Sequence, residues 1–204
     1  MRTTVAGVLL AAGEGSRFGR PKALVEVNGR TLAERGAELL RSGGADPLLI
    51  VTGAAQVHLL GTQTVDNPDW RTGMGSSLRA ALRALTGTQD VSAVVVALAD
   101  QPLVGPEAVA RLIAAYRAGA SVVVAAYDGQ PRNPVLFARE HWPEVIATAA
   151  GDTGARAFLR ARADLVTLVE CGDTGRPDDI DTPADLARIA AALARPHDGR
   201  PPPG

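Results

Sequence analysis

The chain has 204 residues, of which 46% are hydrophobic, and its formal net charge is −1. This composition is typical of a folded protein, and the charge balance argues against nucleic acid or an acidic membrane as a partner. The single cysteine excludes an intrachain disulfide, the scattered histidines predict no zinc site, and no run reaches 18 apolar residues. We therefore expect a cytoplasmic protein with one domain over residues 1–194 and a small-molecule partner.

The first predicted element is a buried strand that leads into a glycine-rich loop. Residues 5–10 are almost continuously apolar, as in a parallel strand covered on both faces. Gly13 and Gly15 then allow the backbone to approach a ligand, and Arg17 and Lys22 add two cations that suit phosphate. A plain glycine-rich turn is the alternative. Neither the G-x-G-x-x-G dinucleotide motif nor the G-x-x-x-x-G-K-[ST] P-loop is present.

The following elements alternate between strand and helix. Residues 23–27 predict a short strand that ends in an Asn28-Gly29 turn, and Thr31 is placed to cap a helix. Residues 47–52 predict a second buried strand, which completes a βαβ unit. Because the alternation continues to Val169, we predict an α/β fold, a three-layer Rossmann-like sandwich with a mainly parallel central sheet.

Residues 67–77 form a polar stretch before a helix predicted over residues 77–85. Their sequence, N-P-D-W-R-T-G-M-G-S-S, surrounds polar groups with proline and glycine. A helix N-terminus there would attract anions or hydrogen-bond acceptors. A capped helix with a structured lead-in loop is the alternative.

Two acidic positions are candidates for a metal site. Asp100 follows the strand predicted over residues 91–98, and ligands of open α/β sheets collect beyond such strand ends. Mg²⁺ prefers carboxylates together with phosphate oxygens and water, although Asp100 could also cap the helix that begins near Gly105. Asp181 lies in D-I-D-T-P-A-D-L, which also resembles the start of a helix over residues 183–193. Both interpretations of Asp181 can hold.

Three segments in the later part of the chain also carry recognisable patterns. Residues 130–137, Q-P-R-N-P-V-L-F, follow a strand predicted over residues 121–126, and Asn133 there either contacts a ligand or shapes the turn. Residues 151–156, G-D-T-G-A-R, present amides at a helix start, with a simple Asp cap and a solvated Arg as the alternative. The repeated prolines of residues 195–204 predict a disordered tail.

Several of these motifs resemble those of a known family. L-A-A-G-E-G-S-R-F-G-R-P-K is similar to the L-A-[AG]-G-x-[GS]-x-R-[MF]-G-x-x-K signature of Rossmann-like nucleotidyltransferases. N-P-x-W-x-x-G-M-G-S-S and G-D-x-G-A-R resemble elements of the molybdenum cofactor cytidylyltransferases, and the likeness spans residues 5–189. The chain departs from that family at Pro-Arg-Asn-Pro, where its members commonly have Arg-Gly-His-Pro.

The resemblance implies a magnesium-dependent enzyme that transfers CMP from CTP to molybdopterin and releases pyrophosphate, with a client molybdoenzyme as a possible partner. It assigns catalysis to Arg17, Lys22 and Asp100, and Mg²⁺ binding to Asp100 and Asp181. It assigns nucleotide binding to Leu10, Ala11, Ala12, Gly13, Glu14, Gly15, Ser16, Arg17, Lys22, Thr52, Gly53, Asn67, Gly73, Ser76, Ser77 and Asp100. It assigns acceptor binding to Gln101, Asn133, Gly151, Asp152, Gly154 and Arg156.

Three other functions compete with this one. A guanylyltransferase, or another nucleotidyltransferase with a sugar phosphate or different small phosphate as acceptor, would share the fold. L-A-A-G at residues 10–13 favours CTP, because relatives that use GTP more often carry L-A-G-G. A non-catalytic nucleotide or cofactor carrier would bind ligand without releasing pyrophosphate. A hydrolase with Asp100 as nucleophile would need an activating partner, which the sequence does not reveal.

Overall fold

Seven strands form a mixed sheet in the computed structural model, which describes residues 4–194; the tail predicted over residues 195–204 lies outside the described residues. The sheet order is β5-β4-β1-β6-β8-β7-β9, and β2 and β3 form a separate two-stranded ribbon. The strands are β1 (Thr4–Leu10), β2 (Glu26–Val27), β3 (Arg30–Thr31), β4 (Leu48–Thr52), β5 (Gln63–Asp66), β6 (Val91–Leu98), β7 (Val122–Tyr127), β8 (Gln130–Ala138) and β9 (Val166–Glu170). The helices are α1 (Leu32–Ser42), α2 (Met74–Thr86), α3 (Pro106–Arg117), α4 (Trp142–Thr148), α5 (Arg156–Ala161) and α6 (Pro183–Ala194).

The predicted fold class is confirmed. The neighbours β5, β4, β1 and β6 are parallel, as expected for apolar strands covered on both faces. The exception is β8, which runs antiparallel to β6 and β7. Asp128 and Gly129, both with positive φ, turn the chain directly from β7 into β8, so residues 130–137, for which the sequence predicted no strand, belong to a full strand.

The region before α1 corrects one predicted element. Residues 22–24 form a 3₁₀ turn, in which the Val25 amide bonds to the Lys22 carbonyl, so only Glu26–Val27 of the strand predicted over residues 23–27 is extended. The Asn28-Gly29 turn is confirmed. Thr31 caps α1 as predicted, in a reciprocal capping box with Glu34.

Three hydrophobic clusters hold these layers together. One lies between the sheet and α1 and α3, and another lies on the opposite face, between the sheet and α2, α4 and α5. A smaller third cluster joins the ribbon to α6 through Val25, Val27, Leu32, Ile180 and Ile189. This third cluster fixes the segment that contains Asp181. Within residues 4–194, no helix has the length and apolar character needed to cross a membrane.

Candidate functional site

The glycine-rich loop leaves the carboxyl end of β1 and folds back on itself. The Ala11 amide still donates to the Val51 carbonyl at 3.0 Å, and the Lys22 amide then returns to the Gly13 carbonyl at 3.3 Å. Gly15 has a φ of 63°, and a Cβ there would collide with the Arg20 carbonyl oxygen. The return bond and the left-handed residue together bring Lys22 beneath the loop.

Lys22 lies between the two predicted metal-binding carboxylates. Its Nζ is 2.9 Å from Asp100 Oδ2 and 2.7 Å from Asp181 Oδ1. Partial burial lowers the pKa of Lys22, but the two carboxylates outweigh that effect and raise it above its ordinary value. The ammonium therefore stays charged at neutral pH, and the two acids face a common point.

The backbone fixes each acid separately. Asp100 lies two residues after the end of β6, and its carbonyl accepts a bond of 2.9 Å from the Ile180 amide. The helix cap suggested for Asp100 is not formed, because no side chain caps α3 at Gly105. At the start of α6, Asp185 accepts bonds from the Thr182 amide and hydroxyl at 2.9 and 2.8 Å. The Asp185 amide donates in turn to the Thr182 hydroxyl at 3.2 Å, so Thr182 and Asp185 cap α6 together and the Asp181 carboxylate is left for Lys22.

A first cavity, of about 650 Å³, opens beside this cluster. Of the residues predicted to bind nucleotide, it is lined by residues 10–14, Ser16, Lys22, Gly73, Ser77 and Asp100. Gly13 is exposed there, and a Cβ on it would meet nothing within 4 Å. Six residues predicted to bind nucleotide lie outside this lining: Gly15, Arg17, Thr52, Gly53, Asn67 and Ser76. Of these, Arg17 has an exposed side chain. Trp70, Arg71 and Met74 line the cavity without having been predicted.

Asn67 and the two serines form a buried network under the cavity. Asn67 Nδ2 donates to Ser76 Oγ at 2.8 Å and to Ser77 Oγ at 2.9 Å. The Ser76 hydroxyl also lies 3.0 Å from the Asp69 carbonyl. Because these partners satisfy the buried polar groups, the network supports the start of α2, and Ser77 alone of the three reaches the cavity lining.

A second cavity, of about 1010 Å³, adjoins the first and shares Met74, Leu98, Asp100 and Asp152 with it. Of the predicted acceptor residues, it is lined by Gln101, Asn133, Asp152 and Arg156. Gly151 and Gly154 instead shape the turn between α4 and α5, with φ of 50° and 55°. The sequence did not predict the cations Arg132 and Arg160, which line this cavity together with apolar residues such as Val124, Val135 and Leu159.

A further unpredicted acid lies next to the cluster. The Gln101 amide donates to Asp179 Oδ1 at 2.9 Å and to the Pro177 carbonyl at 3.3 Å. Partial burial of its carboxylate raises the pKa of Asp179, and the nearby Asp100 charge raises it further. Asp179 is therefore a third carboxyl group beside the cluster, and its ionised form is less favourable there than in solvent.

The donor set suits a hard divalent cation. Asp100 and Asp181 offer carboxylate oxygens to one point, and Mg²⁺ or Mn²⁺ binds such oxygens together with substrate phosphates and water. Within residues 4–194, no group of three or more His, Cys, Asp or Glu side chains forms a complete metal cage. The residues therefore fit a cation that completes its coordination with substrate and solvent.

Comparisons with known proteins identify similar chains. A family model described as the MobA-like NTP transferase domain matches residues 7–166. A nicotine blue oxidoreductase from Paenarthrobacter nicotinovorans is 40% identical over 91% of this chain and 96% of that protein. A probable molybdenum cofactor guanylyltransferase from Opitutus terrae is 34% identical over 62% and 63%, respectively. The crystal structure of Rv0371C from Mycobacterium tuberculosis H37Rv, a complex with manganese, is 27% identical with a TM-score of 0.72, covering 93% of this chain and 100% of that one.

Proposed function

The chain belongs to the family of MobA-like NTP transferase domains, and we propose that it transfers CMP from CTP to a molybdopterin-type phosphate and releases pyrophosphate. The observation that carries this proposal is the position of Lys22 between Asp100 and Asp181, at the junction of two cavities that share Asp100. One cavity can hold the nucleotide and the other the acceptor, so the two substrates would meet at the charged cluster.

The reaction needs positioning and charge stabilisation more than a nucleophile from the protein. An oxygen of the acceptor phosphate attacks the α-phosphorus of the nucleotide, and the bond from that phosphorus to the bridging oxygen of pyrophosphate breaks. The loop amides around Gly13 and the Lys22 ammonium stabilise the growing negative charge on the leaving group. No protein general base is required, because a phosphate acceptor is already ionised at neutral pH.

A divalent cation on Asp100 and Asp181 would neutralise phosphate charge and orient the phosphate oxygens. We propose Mg²⁺ for this position. The two carboxylates lie at the ends of β6 and of the loop before α6, so the sheet and the third hydrophobic cluster preorganise both. Without the cation, Lys22 offsets one of their two negative charges, and with the cation bound it would be free to turn to a phosphate.

The lining of the second cavity suits a bulky anionic acceptor. Arg132, Arg156 and Arg160 line it, and none of the three forms an ion pair with another described residue. Guanidinium groups suit phosphate or carboxylate oxygens, and the apolar lining suits a ring system. The G-D-T-G-A-R sequence at residues 151–156 supports molybdopterin as the acceptor, and L-A-A-G at residues 10–13 supports CTP as the donor.

The test is pyrophosphate release from CTP, GTP, ATP and UTP, each with Mg²⁺ and with or without a molybdopterin source. The proposal predicts release from CTP that depends on the acceptor. A preference for GTP would identify a guanylyltransferase, the probable activity for which the Opitutus relative is named. Nucleotide binding without release would favour a carrier, and release only with another small phosphate would exclude molybdopterin as the acceptor.

A second candidate function is an oxidoreductase, which the 40% identity to the nicotine blue oxidoreductase favours. The two functions differ in their products, because an oxidoreductase would leave the nucleoside triphosphate intact. Oxidation of a reduced nicotinamide nucleotide by a heterocyclic dye, followed by absorbance, tests it directly. Turnover in that assay that survives Lys22→Met and Asp100→Asn would show that the oxidoreductase activity does not use the charged cluster.

A further inference from the structure

The first cavity contains an aromatic ring and a cation that the proposed chemistry has not used. Trp70 is the only aromatic side chain among the described residues that line this cavity. The Arg71 guanidinium lies over its ring, 4.5 Å from the centroid. Lys22, Ser16 and the loop amides are elsewhere in the lining, so the cavity combines groups for phosphate with a flat aromatic surface.

The backbone holds Trp70 in one place. Its amide donates to the Asn67 carbonyl at 3.3 Å, and Asn67 is fixed by the buried serine network. A Cβ on Gly53 would lie 2.6 Å from Trp70 Cβ and Cγ, so the indole packs directly on the backbone at the end of β4. An aromatic ring that is fixed and half-buried loses little conformational entropy when a ligand stacks on it.

We infer that the Trp70–Arg71 pair is the stacking surface for the nucleobase of the nucleoside triphosphate. Nucleobases stack on both indole rings and guanidinium planes, and a nucleotide has an anionic end and a flat end that match the two parts of the cavity. Every nucleobase has a flat face that can stack, so this pair supplies affinity without distinguishing the bases. The choice between CTP and GTP must come from contacts to the hydrogen-bonding edge of the base, made by other residues. This inference rests on the proposed nucleotidyltransferase function.

The variants Trp70→Leu and Trp70→Phe separate stacking from packing against Gly53. Leucine keeps apolar bulk without a ring, and phenylalanine keeps a ring. We expect Trp70→Leu to weaken CTP and GTP binding about tenfold or more, measured by calorimetry, and Trp70→Phe to retain most of the affinity. Inorganic tripolyphosphate, which has no base, should bind the parent and Trp70→Leu within about twofold of each other.

Fluorescence provides a second measurement, which does not require replacement of Trp70. The chain has two tryptophans, and Trp142 is buried in the core beneath β8, so Trp142→Phe leaves Trp70 as the only indole. CTP should quench the emission of this variant and tripolyphosphate should not. Unchanged emission with CTP, or equal losses of CTP and tripolyphosphate affinity in Trp70→Leu, would overturn the stacking role alone. A parent protein that binds no nucleoside triphosphate would overturn the proposed function as well.

Discussion

Replacement of Lys22 by methionine tests the charged cluster most directly, because it removes the ammonium and retains most of the side-chain length. The two carboxylate oxygens that Lys22 contacts are then at most about 5.6 Å apart, the sum of 2.9 and 2.7 Å. At effective dielectric constants of 80 to 20, their repulsion is about 0.7–3 kcal/mol, and the substitution leaves it uncompensated because it removes the two ion pairs that offset it. The Asp181 side chain is 50% exposed, so we expect the low end, about 1 kcal/mol.

In chelator, that loss corresponds to a melting temperature about 2–4 °C below that of the parent for a chain of this size. The same change should increase the stabilisation by Mg²⁺ or Mn²⁺, because the cation no longer competes with the ammonium for the carboxylates. Pyrophosphate release should be lost at every cation concentration, since no ammonium is left to hold the nucleotide phosphates.

Thermal melting with chelator, Mg²⁺ and Mn²⁺ measures both effects, and Lys22→Arg is the matched control because it keeps a cation between the carboxylates. Lys22→Arg should melt near the parent temperature and show no extra stabilisation by metal. Equal metal stabilisation of the parent and Lys22→Met would refute the idea that ammonium and cation share one site.

Three other predictions concern neighbouring features. Gly13→Ala should leave the melting temperature unchanged, since the new Cβ meets no atom within 4 Å, yet it should weaken nucleotide binding about tenfold or more by calorimetry. Gly15→Ala is the contrast: because Gly15 has a positive φ and a Cβ there collides with the Arg20 carbonyl, it should destabilise the fold by at least about 1–2 kcal/mol. Burial and the Asp100 charge disfavour the ionised form of Asp179 in the folded state and so raise its pKa. The fold therefore loses stability as the pH rises from the ordinary Asp range through that raised pKa. Asp179→Asn should therefore raise the melting temperature in chelator near pH 7, with a smaller gain near about pH 4. Thr31→Ala should cost about 1 kcal/mol by denaturant melts, with turnover unchanged, because it removes the α1 cap.

Each of these predictions has its own contrary result. Tight nucleotide binding by Gly13→Ala would mean that the loop does not approach the phosphates. A stabilisation by Asp179→Asn that does not change with pH would assign the effect to packing. A loss of turnover in Thr31→Ala at temperatures where the fold is intact would connect the capping box to the site.

Sequence patterns predicted the parts of the fold that are determined by residues close together in the chain. The apolar run of residues 91–98 became β6 with the predicted bounds, and the cap at Thr31 is formed. The antiparallel β8 was missed because its polar start, Gln130 to Asn133, has no strand alternation. The signal available was Asp128-Gly129, a dipeptide that favours a two-residue hairpin turn.

The candidate site was predicted unevenly for a similar reason. Asp100 could be placed from its position at a strand end, whereas Asp181 lies 159 residues after Lys22 and only the family resemblance gave it a metal-binding role beside Asp100. No sequence spacing could connect Trp70 with Gly53 or Arg160 with the second cavity, because tertiary packing alone brings them together. The catalytic and binding roles predicted for the site residues, including Arg17, stay predictions.

The position of Asp181 after the last strand has a consequence for synthesis on the ribosome. The seventh strand of the sheet ends at Glu170, and Asp181 and the helix that anchors it follow in the chain. A nascent chain can therefore complete its sheet, its glycine-rich loop and Lys22 while the second carboxylate is still inside the exit tunnel. A translation product that stops before residue 181 would contain all seven strands of the sheet but could not assemble the charged cluster or the cation site proposed for it.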